Sequence, residues 1–246
     1  MALLEEFESS GNWLFRWRSY LPLVLVGIIL LALYDYKYPL HDRGLEGYWE
    51  VFCLIVSYFG LGIRAITVGC APGRTSGRNT KQQIADSLNT TGLYSVVRNP
   101  LYLGNFFMGL GIVLFVHTWQ LTLIFTLLFW LYYERIIFAE ESFLRKKFGD
   151  EYLNWANATP VFIPRFSGYR KAGLPFSIKN VLRREYNGFF AVIVVMFMLE
   201  TVGDFSVLGI FDPDTWWLVL VACGFIIWIV LRTLKKYTKL LNVEGR

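Results

Sequence analysis

Charge is what this 246-residue chain has least of. Asp, Glu, Lys and Arg make up 17% of it, while 55% of its residues are hydrophobic and 18% aromatic. An ordinary soluble domain carries roughly 25% charged residues. The charges present are clustered between long apolar runs, and the mean hydropathy is positive. A soluble globular domain is thereby excluded in favour of an integral membrane protein. Reactive side chains are scarce too: the chain has two histidines and three cysteines, with no CxxC pair. Cys53 and Cys223 sit in apolar runs, and with Cys70 they read as small packing residues, so no metal site is expected. The opening MALLEEFESS is acidic, and no small-residue cleavage site follows the first apolar run, which is not the pattern of a signal peptide.

What the chain does have is a series of about six apolar stretches, each a candidate transmembrane helix. They cover Tyr20–Tyr34, Tyr48–Gly69, Leu101–Val116, Trp119–Phe138, Gly188–Gly203 and Thr215–Leu234. Flanking aromatics such as Trp13, Trp17, Trp49 and Trp216 extend the shorter ones into the interface. Only His117 and Thr118 separate the third from the fourth, which predicts a tight helical hairpin. The fold class expected is an all-α polytopic membrane protein. It divides into an N-terminal two-helix region (1–87), a central core carrying the motifs (88–166) and a C-terminal two-helix region (167–246).

The net charge of +5 is unevenly distributed. Lys and Arg precede the first helix (Arg16, Arg18) and separate the second from the third (Arg74, Arg78, Lys81, Arg98). They crowd the segment from Arg135 to Arg184 and follow the sixth helix. The last connection holds only acids: Glu200, Asp204, Asp212 and Asp214. The positive-inside rule therefore predicts that both termini and both long basic segments are cytosolic. His41 and His117 fall on the opposite face. A cytosolic reaction must then proceed without histidine, which argues against Ser-His-Asp hydrolysis and His-ligated metal catalysis. Between the fourth and fifth stretches, Leu144, Phe148, Tyr152 and Trp155 share one face of an expected cytosolic amphipathic helix over Glu140–Trp155, ended by Pro160 and Pro164.

Polar residues pressed against membrane segments are costly and mark candidate sites. One group is the run from Thr91 to Gly104. Pro100 suits the first turn of the third helix, which puts Arg98 beside unpaired backbone N–H groups, a good place for an anion. Further along, Gly109 and Gly111 leave the backbone bare, either for close helix packing or for a ligand. A second group is Glu134, Glu140 and Glu141 at the cytosolic end of the fourth helix. These read either as a solvated helix end paired with Arg135 and Arg145, or as a site for a cationic ligand or ribose hydroxyls. A third is the glycine- and hydroxyl-rich loop Gly73–Thr80, where Arg74 and Arg78 suit either a phosphate or the anionic membrane surface.

Arg98-Asn99-Pro100-Leu101-Tyr102-Leu103-Gly104 resembles the Arg-His-Pro-x-Tyr-x-Gly signature of the isoprenylcysteine carboxyl methyltransferase and phospholipid methyltransferase superfamily. Gly109-x-Gly111 is similar to its Gly-x-Gly element. Glu140-Glu141 followed by Phe148-Gly149-Asp150-Glu151-Tyr152 is similar to its Glu-Glu motif and the helix after it, and Pro160 or Pro164 matches the closing proline. The resemblance spans Gly92 to Pro164. It implies a membrane enzyme that binds S-adenosylmethionine from the cytosol and takes a lipid or lipidated acceptor from the bilayer. By that resemblance Arg98, Asn99 and Tyr102 are the catalytic candidates. Arg98, Tyr102, Gly109, Gly111, Glu140 and Glu141 are the cofactor-binding ones. Arg74 and Arg78, outside the resemblance, are substrate-binding candidates on the strength of their loop alone. The family's histidine is Asn99 here, which hydrogen-bonds but does not titrate near neutrality.

Methyl transfer from a sulfonium is an in-line displacement that needs alignment above all. A carboxylate or phosphate arrives already ionised, whereas an amine must first lose a proton. Oxyanion acceptors are therefore expected ahead of amines. The Asn89-Thr90-Thr91-Gly92-x-Tyr94-Ser95 context resembles bacterial relatives that methylate a lipid A phosphate. The alternatives are carboxyl methylation of a prenylated cysteine, phospholipid N-methylation, and a transporter or structural membrane protein. A transporter should show repeats and polar helix centres. No repeat is visible here, and Arg64 is the nearest approach to a charge within a span.

Overall fold

The fold was obtained as a computed structural model, which describes residues 2–18, 21–33, 43–73, 75, 85–211 and 213–246. Among these the chain is helical. Its α-helices are α1 (Leu3–Trp17), α2 (Leu21–Ala32), α3 (Arg43–Cys70), α4 (Pro100–Leu114), α5 (Trp119–Phe148), α6 (Asp150–Ala158), α7 (Ile178–Leu208) and α8 (Thr215–Tyr237). Among the described residues, every expected apolar stretch coincides with a helix. Four of them, α3, α5, α7 and α8, are long and apolar enough to cross a membrane, and α4 is a shorter apolar helix. The polytopic, all-helical reading holds. Arg74, Arg78, Lys81, His41 and Asp212 lie outside the described residues.

The sequence reading is corrected at three places. The expected amphipathic helix over Glu140–Trp155 does not exist as one unit. No glycine or proline interrupts Trp119–Phe148, so α5 runs straight through its membrane segment and on past Glu140 and Glu141. Gly149 then takes φ +53°, a left-handed conformation that glycine adopts without strain, and α6 starts in a new direction. Tyr152 and Trp155 are nevertheless buried as their spacing implied. In the same way α7 begins at Ile178, capped by Ser177 Oγ accepting from the Asn180 N–H at 3.3 Å, rather than at Gly188. The third difference is α1, which hydropathy does not reveal because its apolar residues form only one stripe.

That stripe explains where α1 sits. Gly11 and Phe15 are buried, and α1 lies along α5. A Cβ at Gly11 would drive into the Arg135 carbonyl. Phe7 packs on Phe138 with ring centroids 5.6 Å apart, and Glu8 pairs with Lys146 at 2.5 Å. Leu3, Leu4, Trp13 and Trp17 face outward, as expected of a helix at the membrane interface.

The rest of the bundle is organised by α3, which packs against both α4 and α7, while α8 packs on α7. The α3–α4 contact is close because glycines line it. A Cβ at Gly104 would meet the Gly60 carbonyl at 2.7 Å, and one at Gly111 would collide with Ser57 and the Cys53 carbonyl. Membrane helices gain dispersion energy from such small-residue seams, since lipid supplies no hydrophobic drive between them. The α4–α5 turn is as tight as expected. His117 sits in it at φ +58°, its ring 5.4 Å from that of Trp49, whose Nε1–H donates to the Leu114 carbonyl at 2.9 Å. Burial lowers the His117 pKa to about 4.

Candidate active site

At 30 residues, α5 is about 45 Å long. The hydrocarbon core is about 30 Å thick, so roughly ten residues of the helix project past it. Glu140 and Glu141 belong to that projecting end. Beside it stands the N-terminal end of α4, where Pro100 occupies the first turn as its missing N–H allows.

The approach to α4 is shaped by a short 3-10 turn, Leu93–Ser95, entered through Gly92 at φ +63°. Ser95 Oγ donates to the Gly92 carbonyl at 2.7 Å and accepts from the Arg170 N–H at 2.8 Å. The segment after α6 then stitches the motif down. The Arg98 N–H donates to the Pro160 carbonyl at 2.8 Å and the Arg165 N–H to the Val96 carbonyl at 3.0 Å. Trp155 Nε1–H donates to the Tyr94 carbonyl at 2.9 Å. Asn99 joins the same seam, its Nδ2 donating to the Val161 carbonyl at 3.1 Å. It caps α4 through no side-chain bond. The Pro160 carbonyl thus anchors the Arg98 backbone.

These constraints bring the two motifs together. Arg98 Nη1 lies 2.8 Å from Glu141 Oε1, so the guanidinium that the sequence offered to an anion is already paired on one side. Its buried Nε makes no hydrogen bond of ordinary geometry among the described residues, although the Tyr152 hydroxyl lies close to the guanidinium. Tyr102 donates its hydroxyl to Glu140 Oε1 at 2.8 Å, and Arg18, just past α1, approaches the same oxygen at 3.6 Å. The solvated pairing of the carboxylates with Arg135 and Arg145 is not what forms. Arg135 instead lies over the Phe7 ring at 4.5 Å. Tyr152 packs beside Glu141, and burial, followed by that carboxylate, pushes its hydroxyl well above the ordinary value. Tyr94 is raised likewise by burial, then by Glu140, with Arg184 opposing. Both phenols therefore stay protonated donors at neutral pH.

Alongside the pair opens a cleft of about 350 Å³ lined by Phe7, Phe129, Trp130, Tyr133, Glu134, Phe138, Glu141 and Phe162 among others. Its walls come from α1, α5 and the loop after α6. Gly109 and Gly111 sit elsewhere, in the packing of α4. A Cβ at Gly109 would meet Phe125 at 2.6 Å, and the Gly111 position is filled from α3, so the space above each glycine belongs to a neighbouring helix.

Sequence reasoning missed several members of this region. Arg18 had counted only as a flanking charge. Arg64 finds its partner in Glu185 on α7, with Nε and Nη2 donating to the two carboxylate oxygens at 2.8 and 3.0 Å. Arg64 Nη1 also donates to Asn105 Oδ1 at 2.6 Å, and Asn105 Nδ2 donates to the Tyr133 hydroxyl at 3.1 Å. The Tyr102 and Tyr133 rings touch, with centroids 4.5 Å apart. The one legible signal was Asn105, an amide inside an apolar run, where a buried polar group needs a partner. Among the described residues no group of three or more His, Cys, Asp or Glu side chains is placed to hold a metal ion.

The phospholipid methyltransferase family matches residues 52–151, the stretch that carries Arg98, Tyr102, Glu140 and Glu141. The cobalt-zinc-cadmium resistance protein CzcN of Cupriavidus metallidurans is 35% identical over 166 residues, which are 66% of this chain and 71% of that protein. The protein-S-isoprenylcysteine O-methyltransferase of Schizosaccharomyces pombe is 36% identical over 77 residues. This chain belongs to the isoprenylcysteine carboxyl methyltransferase and phospholipid methyltransferase superfamily. It is thus an integral membrane protein of a methyltransferase family. The nickel-cobalt-cadmium resistance protein NccN of Alcaligenes xylosoxydans xylosoxydans is 33% identical over 60% of this chain. The chain spans 64% of NccN and 33% of the S. pombe enzyme. No solved structure matches it.

Proposed function

We propose that this protein is an S-adenosylmethionine-dependent methyltransferase acting at the cytosolic membrane face on an oxyanion of a lipid or lipidated substrate. The observation that carries the reading is the meeting of Glu140 and Glu141 with Arg98 beside an aromatic cleft. The donor set suits the cofactor. Carboxylates and aromatic rings favour a sulfonium cation, a carboxylate also accepts from ribose hydroxyls, and the buried Arg98 Nε suits the carboxylate of an amino acid. When bound, S-adenosylmethionine supplies an electrophilic methyl group.

The chain's own residues then have separable roles. Glu141 fixes the Arg98 guanidinium so that Nε is held ready. Tyr102 and Arg18 hold Glu140 in one orientation, which avoids reorganisation during the reaction. The rings of the cleft exclude water, strengthening each electrostatic contact. Asn99 ties the loop after α6 to the start of α4, a positioning role that needs no proton transfer. His117 lies at the far end of α4 from Arg98 and serves no base function there. That supports an acceptor that arrives ionised.

Among oxyanions a lipid phosphate, such as that of lipid A, is the reading we favour from the basic loop carrying Arg74 and Arg78. A carboxylate on a prenylated cysteine is the second, favoured by the identity shared with the S. pombe isoprenylcysteine enzyme. The test is incubation of purified protein with isotope-labelled S-adenosylmethionine and lipid extracts, with the product located by mass spectrometry. Label on a phosphate or carboxylate oxygen, at a rate nearly flat around neutral pH, is expected. Label on an ethanolamine nitrogen, with a rate that climbs as the ammonium deprotonates, would replace this reading with N-methylation.

A further inference from the structure

A hydrogen-bond direction is fixed across four helices. An arginine side chain has only donors, so the group facing Arg64 Nη1 at 2.6 Å must be the Asn105 oxygen. Asn105 therefore turns its NH₂ toward Tyr133, whose hydroxyl oxygen receives it at 3.1 Å. Glu185 on α7 holds Arg64 with both carboxylate oxygens and is itself 5% exposed. The relay thus begins in a clamped ion pair and cannot reverse. Its last member is left with an unassigned proton: Tyr133 accepts from Asn105, and no described residue accepts from Tyr133. The charged groups around that phenol are Arg64, Arg18 and Glu140. Its ring touches that of Tyr102, whose own proton goes to Glu140, and the side chain lines the cleft.

From this geometry we infer that Tyr133 is a ligand-binding residue. Its O–H is aimed by the Glu185–Arg64–Asn105 relay to donate to an anionic oxygen of a bound molecule. The inference rests on the methyltransferase reading of the same site. The oxygen belongs either to the methyl acceptor or to the carboxylate of S-adenosylmethionine, and both present the same chemistry to a phenol. Arg64, Asn105 and Glu185 are positioning residues: they touch no ligand but set which way Tyr133 donates.

Tyr133→Phe keeps the ring and the cleft wall and removes only the donor. A hydrogen bond to a charged group is worth roughly a 10- to 100-fold change in affinity. With detergent-purified protein, the dissociation constant for S-adenosylmethionine and the KM for the acceptor in the active lipid extract are measured separately. A rise of that size in the first assigns the oxygen to the cofactor; a rise confined to the second assigns it to the acceptor. Asn105→Asp provides the test of polarity. A carboxylate at that position accepts from Tyr133 and captures its proton. Introduced alone, it should therefore reproduce the Tyr133→Phe loss, and combined with Tyr133→Phe it should add little. Unchanged binding and KM in Tyr133→Phe, with an unchanged melting profile, overturn the inference. So does an Asn105→Asp effect of equal size with and without Tyr133→Phe. Failure of the wild type to bind S-adenosylmethionine would instead refute the methyltransferase reading, a separate result.

Discussion

At the scale of single residues, the site is a set of charges that hold one another in place. Glu141 is engaged by Arg98 and Glu140 by Tyr102 and Arg18, so these carboxylates are oriented before any ligand arrives. Charge removal and packing can be separated by conservative variants. Glu140→Gln and Glu141→Gln preserve shape and hydrogen-bonding capacity, and each should weaken S-adenosylmethionine binding by about tenfold or more while moving the melting temperature little. Glu141→Ala should in addition lose about 1–3 kcal/mol of stability, because it strands the Arg98 guanidinium. Calorimetric binding together with thermal unfolding of the three variants checks this. Lost stability with intact binding would make the pair a purely structural clamp. Arg98 and both glutamates were legible from their motifs. Arg18 and Tyr133 were not, because one arginine before a helix and one tyrosine in an aromatic run carry no local mark. Arg64 and Glu185 are 121 positions apart, a separation at which no sequence period operates.

At the scale of elements, hydrophobic runs located the membrane helices well and their ends badly. Apolar content reports where lipid begins, whereas a helix ends where a residue stops it. Gly149 stops α5 and Ser177 starts α7, both about ten residues beyond the apolar runs. The helix α1 shows the converse. It is too amphipathic to register as a span, yet it supplies Phe7 to the cleft and stands next to Arg18. Its seat depends on the absence of a side chain at Gly11. Gly11→Leu should push α1 off α5, at a cost of about 1–3 kcal/mol from overpacking, and reduce cofactor affinity along with it. Gly27→Leu is the control, since nothing lies within 4 Å of a Cβ built there. Equal affinity in both variants would remove α1 from the site.

At the scale of the whole molecule, the Arg98–Glu141 pair joins the start of α4 to the end of α5, and the positive-inside rule expects that end of the bundle to face the cytosol and the α7–α8 connection to face the other side. With the native cysteines replaced, single cysteines at Ile210 and Glu151 should react with an impermeant maleimide from opposite sides of the membrane, Glu151 from the cytosol. Labelling of both from one side would refute the orientation. The helix that carries the Arg98 motif is also short for a membrane helix. At 15 residues, α4 reaches about 22 Å, against a hydrocarbon slab of about 30 Å. His117 and Trp49 hold its far end, so the shortfall has two resolutions: the bilayer pinches around the protein, or the near end stays below the headgroup plane. Both have the same effect on a lipid acceptor. On the lipid-acceptor reading proposed above, the reactive group would meet Arg98 and Tyr102 without being drawn up into the aqueous phase, and the acceptor's tail need not leave the membrane. On that reading the missing turns of α4 set a working depth, one tuned to the thickness of the surrounding bilayer.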